Sequence, residues 1–274
     1  MSVSRVLALF LGILFSLSSY SQEWPNKVVK FVSPYPPGGS VDPLARLFAG
    51  KLSESLKQQF IVENRTGASG IVGTAPMAIT TGVMKPYKSF ADVLAAAKAK
   101  PDTVTLGNVG NGSLAHLTTI VLNQAAGIQL VPVPYKGGGP LALDLIGGQV
   151  ELGMASTAAQ AQHVRGGKMR ALALTGDRRS HTMPDVPTLK ELGVDVVAHA
   201  WWGILAPAGT PRPIVDKLVL ELQKVIKLPE VNKILTETQG MDVVALGPEA
   251  TQKFIVDAIA RWGRVVKENG ITLQ

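Results

Sequence analysis

The chain has 274 residues, no cysteine and a formal net charge of +7. Lack of cysteine excludes disulfides, zinc–thiolate sites and thiol nucleophiles. The basic residues are scattered singly (Lys27, Lys51, Lys88, Lys168, Lys217) and aromatics are few and not interleaved with arginine, so there is no nucleic-acid face, only a mild bias toward anionic partners.

In chain order, the first segment carries Arg5, an apolar stretch over Val6–Leu17 and small residues at Ser19–Ser21. This is a secretory signal pattern, too short for a comfortable membrane span, with cleavage expected near Ser21 and a mature start at Gln22. An uncleaved anchor is the alternative. No later stretch is long and apolar enough to cross a bilayer, so a soluble protein in the exported compartment is expected.

Strands and helices then alternate. Strands are predicted at Val28–Val32, Phe60–Glu63, Val104–Leu106, Leu130–Val133, Val150–Met154, Met169–Leu174 and Val196–Leu205. Helices are predicted at Pro43–Leu56, Phe90–Ala99, Leu114–Gln124, Pro140–Ile146 and Thr157–Val164. This order argues for an α/β protein with open, mostly parallel sheets. Toward the end, Thr210-Pro211 opens a helix through Ile226 and Gly247-Pro248 opens another ending at Gly270. In the latter, Ile255, Ala258, Ile259, Trp262 and Val266 share one face and read as core. One place breaks the alternation. Ser69–Ala78 reads as a short helix and is followed, without a readable strand, by the next helix.

Four strand-to-helix junctions share a design. SPYPPGGSVDP (Ser33–Pro43) offers Asp42 as cap. GNVGNGSLAH (Gly107–His116) places Ser113 as cap. PYKGGGP (Pro134–Pro140) puts Pro140 at the first helical position, and MASTAAQ (Met154–Gln160) offers Ser156 or Thr157. In a parallel sheet all four lie at the carboxyl ends of the strands, where open α/β proteins bind ligands. Unpaired N–H groups, a positive helix end and close backbone approach at glycine suit carboxylate or phosphate. Gly, Pro and Ser equally make ordinary turns and caps. An ionised Asp42 repels an anion, so either the Gly38, Gly39 and Ser40 amides hold it or the ligand carries an ammonium group. His116, in a first helical turn, is expected neutral.

Enzyme readings are weaker. Ser113 and His116 could form a hydrolase pair, but no G-x-S-x-G elbow surrounds the serine. The glycine runs match neither a dinucleotide nor a Walker pattern. His163, His181 and His199 lack metal-ligand spacing. Neither a metal nor a cofactor is expected.

The motifs YPPGGSVDPLAR, VENRTGASGIVGT, GNVGNGSLAHL, VPYKGGGPLALDLIGGQVEL, MRALALTGDRRSHTMPDVPTLKELG and WWGILAPAGTP together resemble the Bug/TctC family of periplasmic solute-binding proteins. These are the extracytoplasmic receptors of tripartite tricarboxylate transporters. The resemblance implies a two-domain periplasmic-binding-protein (type II) fold with a cleft between domains. It places domain one at 22–82 plus 206–274, domain two at 83–205, and hinges near Thr80–Tyr87 and Trp202–Gly209. It implies a non-enzymatic, monomeric periplasmic receptor that captures a small carboxylate (di- or tricarboxylate, acidic amino acid or aromatic acid) for membrane permease subunits. By motif match, one carboxylate grip falls on Tyr35, Pro36, Gly38, Gly39, Ser40 and Asp42. The second falls on Asn111, Gly112 and Ser113, with His116 close by; Gly137, Gly138, Ser156, Thr157 and Ala158 line the other side. The chain departs from the family after GTAPMAITTG, where a central strand of domain one, one crossover and a domain-two strand are expected to be absent. The alternatives are then a shortened or degraded paralogue without transport function, a ligand-sensing protein, and, more remotely, the serine hydrolase.

Overall fold

The computed structural model describes residues 24–33, 41–64 and 71–272. Strand β1 (Val29–Ser33) leads to helix α1 (Val41–Leu56) and strand β2 (Phe60–Asn64), which pairs parallel to β1. Strand β3 (Ile71–Gly82) is followed by α2 (Phe90–Ala99), β4 (Val104–Asn108), α3 (Leu114–Ala126), β5 (Leu130–Pro134), α4 (Gly138–Ile146), β6 (Leu152–Ser156), α5 (Thr157–Arg165) and β7 (Met169–Leu174). After a long irregular segment come β8 (His199–Gly203), α6 (Arg212–Lys227), α7 (Pro229–Lys233) with a π-turn at Ile234–Thr238, β9 (Asp242–Val243) and α8 (Pro248–Glu268).

β3 organises the molecule. Its second half lies between β6 and β7 in the order β5-β4-β6-β3-β7, and its first half pairs with β8 and β9. Two lobes therefore share one strand, with partners changing between Pro76 and Met77. The predicted helix over Ser69–Ala78 is not found; the segment from Ile71 is extended. Ala75, Ala78, Thr80 and Thr81 are buried inside the sheet, where tertiary packing overrides the weak strand propensity of the alanines. The expected shortfall is thus narrower: a crossing strand that continues into the second lobe's sheet is present. In the first lobe, among the described residues, β1 has β2 as its strand partner, and Val28 and Val32 are 45% and 44% exposed. Thr80 and Thr81 lie within the second lobe's sheet rather than at a hinge.

The sheet is mixed. β4 runs parallel to β5 and β6, whereas β3 is antiparallel to β6, β7, β8 and β9. The second lobe's core gathers Ile79, Phe90, Val93, Leu106, Leu122, Leu152 and Met154. The first lobe's core joins Phe48 and Leu52 of α1, Phe60, Trp202, Val225 and Leu235. Helix starts follow their chemistry: Ser89 and Asp92 form a reciprocal capping box on α2, and Ser113 caps α3. α4 begins at Gly138, two residues before the expected Pro140, which sits harmlessly in the first turn where N–H groups lack helical partners. α8 departs from expectation. Ile259 is 67% exposed, and Ile255, Ala258, Trp262 and Val266 are only half-buried, because the helix leans on α3 and Trp201 and has little of the first lobe to cover its face.

Candidate functional site

Three of the four junctions are described, and the structure brings them to one edge. β5, β4 and β6 are adjacent and parallel, so α4, α3 and α5 all begin at the same carboxyl border. The loops touch. Tyr135 N–H donates to Asn108 O at 2.8 Å, and a Cβ on Gly138 would lie 3.7 Å from Ala159 Cβ. The approach is close because Gly107 faces the Tyr135 ring without a side chain between them. Tyr135 is fixed by donating its hydroxyl to Asp144 Oδ2 at 2.9 Å, and burial pushes its pKa up to about 12.

The loop after β4 is internally bonded. Ser113 Oγ accepts from His116 N–H at 3.3 Å, Gly112 N–H donates to His116 Nδ1 at 3.0 Å, and Ser113 N–H donates to Gly110 O at 3.2 Å. An accepting Nδ1 leaves the proton on Nε2, and burial lowers the His116 pKa, so the imidazole is neutral and presents a donor. The Gly112 and Ser113 amides are thus already engaged within the loop. The Ser113 hydroxyl bonds the His116 backbone rather than its ring, which is not a nucleophile–base arrangement.

At α4, Gly137 adopts φ 112°, a conformation open to glycine, and supplies no side-chain cap, so the first amides from Gly138 onward have no side-chain acceptor. At α5, Ser156 caps by accepting from Ala159 N–H at 3.4 Å, while the wholly buried Thr157 Oγ1 has no hydrogen-bond partner. Chain leading to β9 passes over this point: a Cβ on Gly240 would lie 3.1 Å from Thr157 Oγ1 and 2.8 Å from Thr182 Oγ1. Asn108, fully buried at the end of β4, holds Gly110 N–H with Oδ1 at 3.0 Å and leaves Nδ2 unpaired. Sequence reasoning missed Asn108; its place immediately before a glycine-rich turn was the available signal. Asp42 is not a cap. It is buried in the first turn of α1 and pairs with Arg46 at 3.1 Å, which offsets its charge. Tyr35, Pro36, Gly38, Gly39 and Ser40 lie outside the described residues, so the structure does not place the first grip.

The sequence profile of the tripartite tricarboxylate transporter family receptors (TctC) matches residues 74–271. The chain belongs to this family. Its members are periplasmic solute-binding proteins and not enzymes. Protein BugT of Bordetella pertussis is 31% identical, with both chains covered in full. That alignment needs 328 positions for a chain of 274, so at least 54 positions of the TctC-type relative have no counterpart here. Among solved structures, the periplasmic binding protein BugD is 29% identical with a TM-score of 0.81, over 92% of this chain and 100% of that one. R. palustris Rpa4515, solved with adipate, is 26% identical with a TM-score of 0.83, over 91% and 99% of the two chains. The TctC match begins inside β3, at the strand where the sequence pattern broke.

Proposed function

We propose that the chain captures a small carboxylate between its two lobes and, as a periplasmic monomer, delivers it to the membrane permease subunits of a tripartite transporter. The observation that carries this reading is the convergence of the α3, α4 and α5 amino termini on one border facing the crossing strands. Such a border offers positive dipole ends and N–H donors to an anion. The structure of Rpa4515 with adipate supports the carboxylate class. The Arg46–Asp42 pair offsets the charge of an ionised Asp42, which supports a ligand without an ammonium group. We place the changeover between lobes inside β3, at Pro76/Met77, with 206–274 returning mainly to the first lobe. Gly137, Gly138, Asn111, His116, Ser156, Thr157 and Ala158 line the second lobe's side, and Tyr35–Asp42 the first.

Titration calorimetry with succinate, adipate, citrate, glutamate and benzoate tests the reading. Saturable heat with at least one acid is expected; no heat from any of them refutes it. Amino-terminal sequencing of the exported protein is expected to begin at Gln22.

A second reading has one observation behind it. Among the described residues β1 and β2 pair with each other and not with β3, which favours a shortened paralogue with a weakened first lobe. Under that reading the protein folds but transports nothing. A strain lacking the chain would then take up every acid that binds it at the wild-type rate.

A further inference from the structure

The antiparallel ribbon of β3 and β8 joins the lobes, pairing from Ile71↔Gly203 to Pro76↔His199. One residue further on, the ribbon forks. Met77 continues between β6 and β7, while Ala198, just before β8, bonds Thr175 instead of β3. Thr175, wholly buried just after β7, fills the fork. Its N–H donates to Met77 O at 2.9 Å, and its carbonyl accepts from Ala198 N–H at 2.8 Å. Its hydroxyl accepts from Met77 N–H at 3.0 Å and donates to Ala198 O at 2.6 Å. One residue thereby satisfies both backbone groups of each strand at the last point where they belong to the second lobe.

The following residues reinforce the joint. Gly176 has no room for a side chain, since a Cβ would lie 2.9 Å from Arg178 O and 3.0 Å from Pro76 Cβ. Asp177 meets His199 Nε2 at 3.2 Å on β8, and Arg178 meets Asp242 at 2.7 Å on β9. The fork is tied on the second-lobe side and held on the first-lobe side by the Arg178–Asp242 ion pair and the Asp177–His199 contact.

We propose that Thr175 is the pivot of the receptor: its hydroxyl sets the angle at which the β3/β8 ribbon leaves the second lobe, and so positions the first lobe over the α3, α4 and α5 amino termini. This rests on the two-lobe receptor reading, and Thr175 acts as a positioning residue without touching ligand. Thr175→Val keeps the shape and removes both hydroxyl bonds; Thr175→Ser keeps them. Because the chain has no cysteine, spin labels can be placed cleanly at Leu143→Cys on α4 and Leu220→Cys on α6, both exposed. Electron–electron double resonance on the ligand-free protein then reads the inter-lobe distance distribution.

Thr175→Val is expected to shift and broaden the inter-lobe distance distribution, because the ribbon loses both hydroxyl bonds that fix its exit angle, while Thr175→Ser retains the wild-type distribution. A Thr175→Val distribution identical to wild type, even with a lowered melting temperature, overturns the pivot. Should Thr175→Val not fold, amide exchange in the wild type decides. Met77 and Ala198 amides exchanging together, among the slowest, support the pivot; a fast Met77 amide overturns it. Adipate calorimetry separates the two claims. Altered distances with no binding of adipate or the other acids refute the receptor and leave the pivot standing. Binding with unaltered distances refutes the pivot alone.

Discussion

At Gly107 and His116 the site depends on single atoms. A Cβ at Gly107 would run into Leu141 Cδ1 and lie 3.0 Å from the Tyr135 ring, so Gly107→Ala forces apart the loops after β4 and β5. A loss of about 1–3 kcal/mol is expected in chemical denaturation, as for other overpacked positions; an unchanged midpoint contradicts it. His116 gives a pH dependence. Its folded pKa is lowered below the ordinary 6.5 by burial, so the unfolded chain takes up the proton first. The His116 contribution to stability is therefore full above pH 6.5 and lost as pH falls through that value toward the folded pKa. Protonation at Nδ1 also breaks the bond from Gly112 N–H. Melting temperatures from pH 7.5 to 5 should fall more steeply for wild type than for His116→Asn; parallel curves contradict this.

The elements differ in how much of them local sequence reveals. α2 (Phe90–Ala99) and β7 (Met169–Leu174) are found at their expected bounds, because a capping box marks one and a run of apolar residues the other. The helices after the glycine loops are legible for the same reason, their caps being local chemistry. Removing one such cap, by Ser113→Ala, should cost about 1 kcal/mol in denaturant titrations. β3 was not legible. Its Gly and Ala residues carry little strand propensity and interrupt the Thr and Ile that favour one, and a proline inside it argues against a central strand. Pro76 is tolerated where β3 exchanges β6 and β7 for β8, a fact of tertiary pairing. Ile79, wholly buried on this strand, anchors the second lobe. Ile79→Ala is predicted to destabilise by about 2–5 kcal/mol; a loss under about 1 kcal/mol would show that the strand is not central.

Across the whole molecule, the two lobes are unequal. The second has a five-strand sheet order, β5-β4-β6-β3-β7, with helices against it, while the first retains β1 and β2 as a separate pair. The relative has 54 or more positions without a counterpart here, and the sequence pattern places a missing strand after GTAPMAITTG, where the pairing instead shows β3 crossing into the second lobe's sheet. The candidate site was legible in its second-lobe half, because glycine loops and caps are local. Its dependence on Thr175 was not, because that residue acts through contacts with Met77 and Ala198, distant in the chain, whereas Asn108 acts locally on Gly110 and carried only the weak signal of preceding a glycine-rich turn. Backbone amides tell the central claim apart from its rivals most directly. In an NMR titration with adipate, the amides of Asn111–His116, Gly137–Gly138 and Ser156–Ala158 should shift along one common saturation curve. No shifts with adipate or the other acids, or shifts confined to the opposite end of the β4–β6 strands, would contradict carboxylate capture at this border.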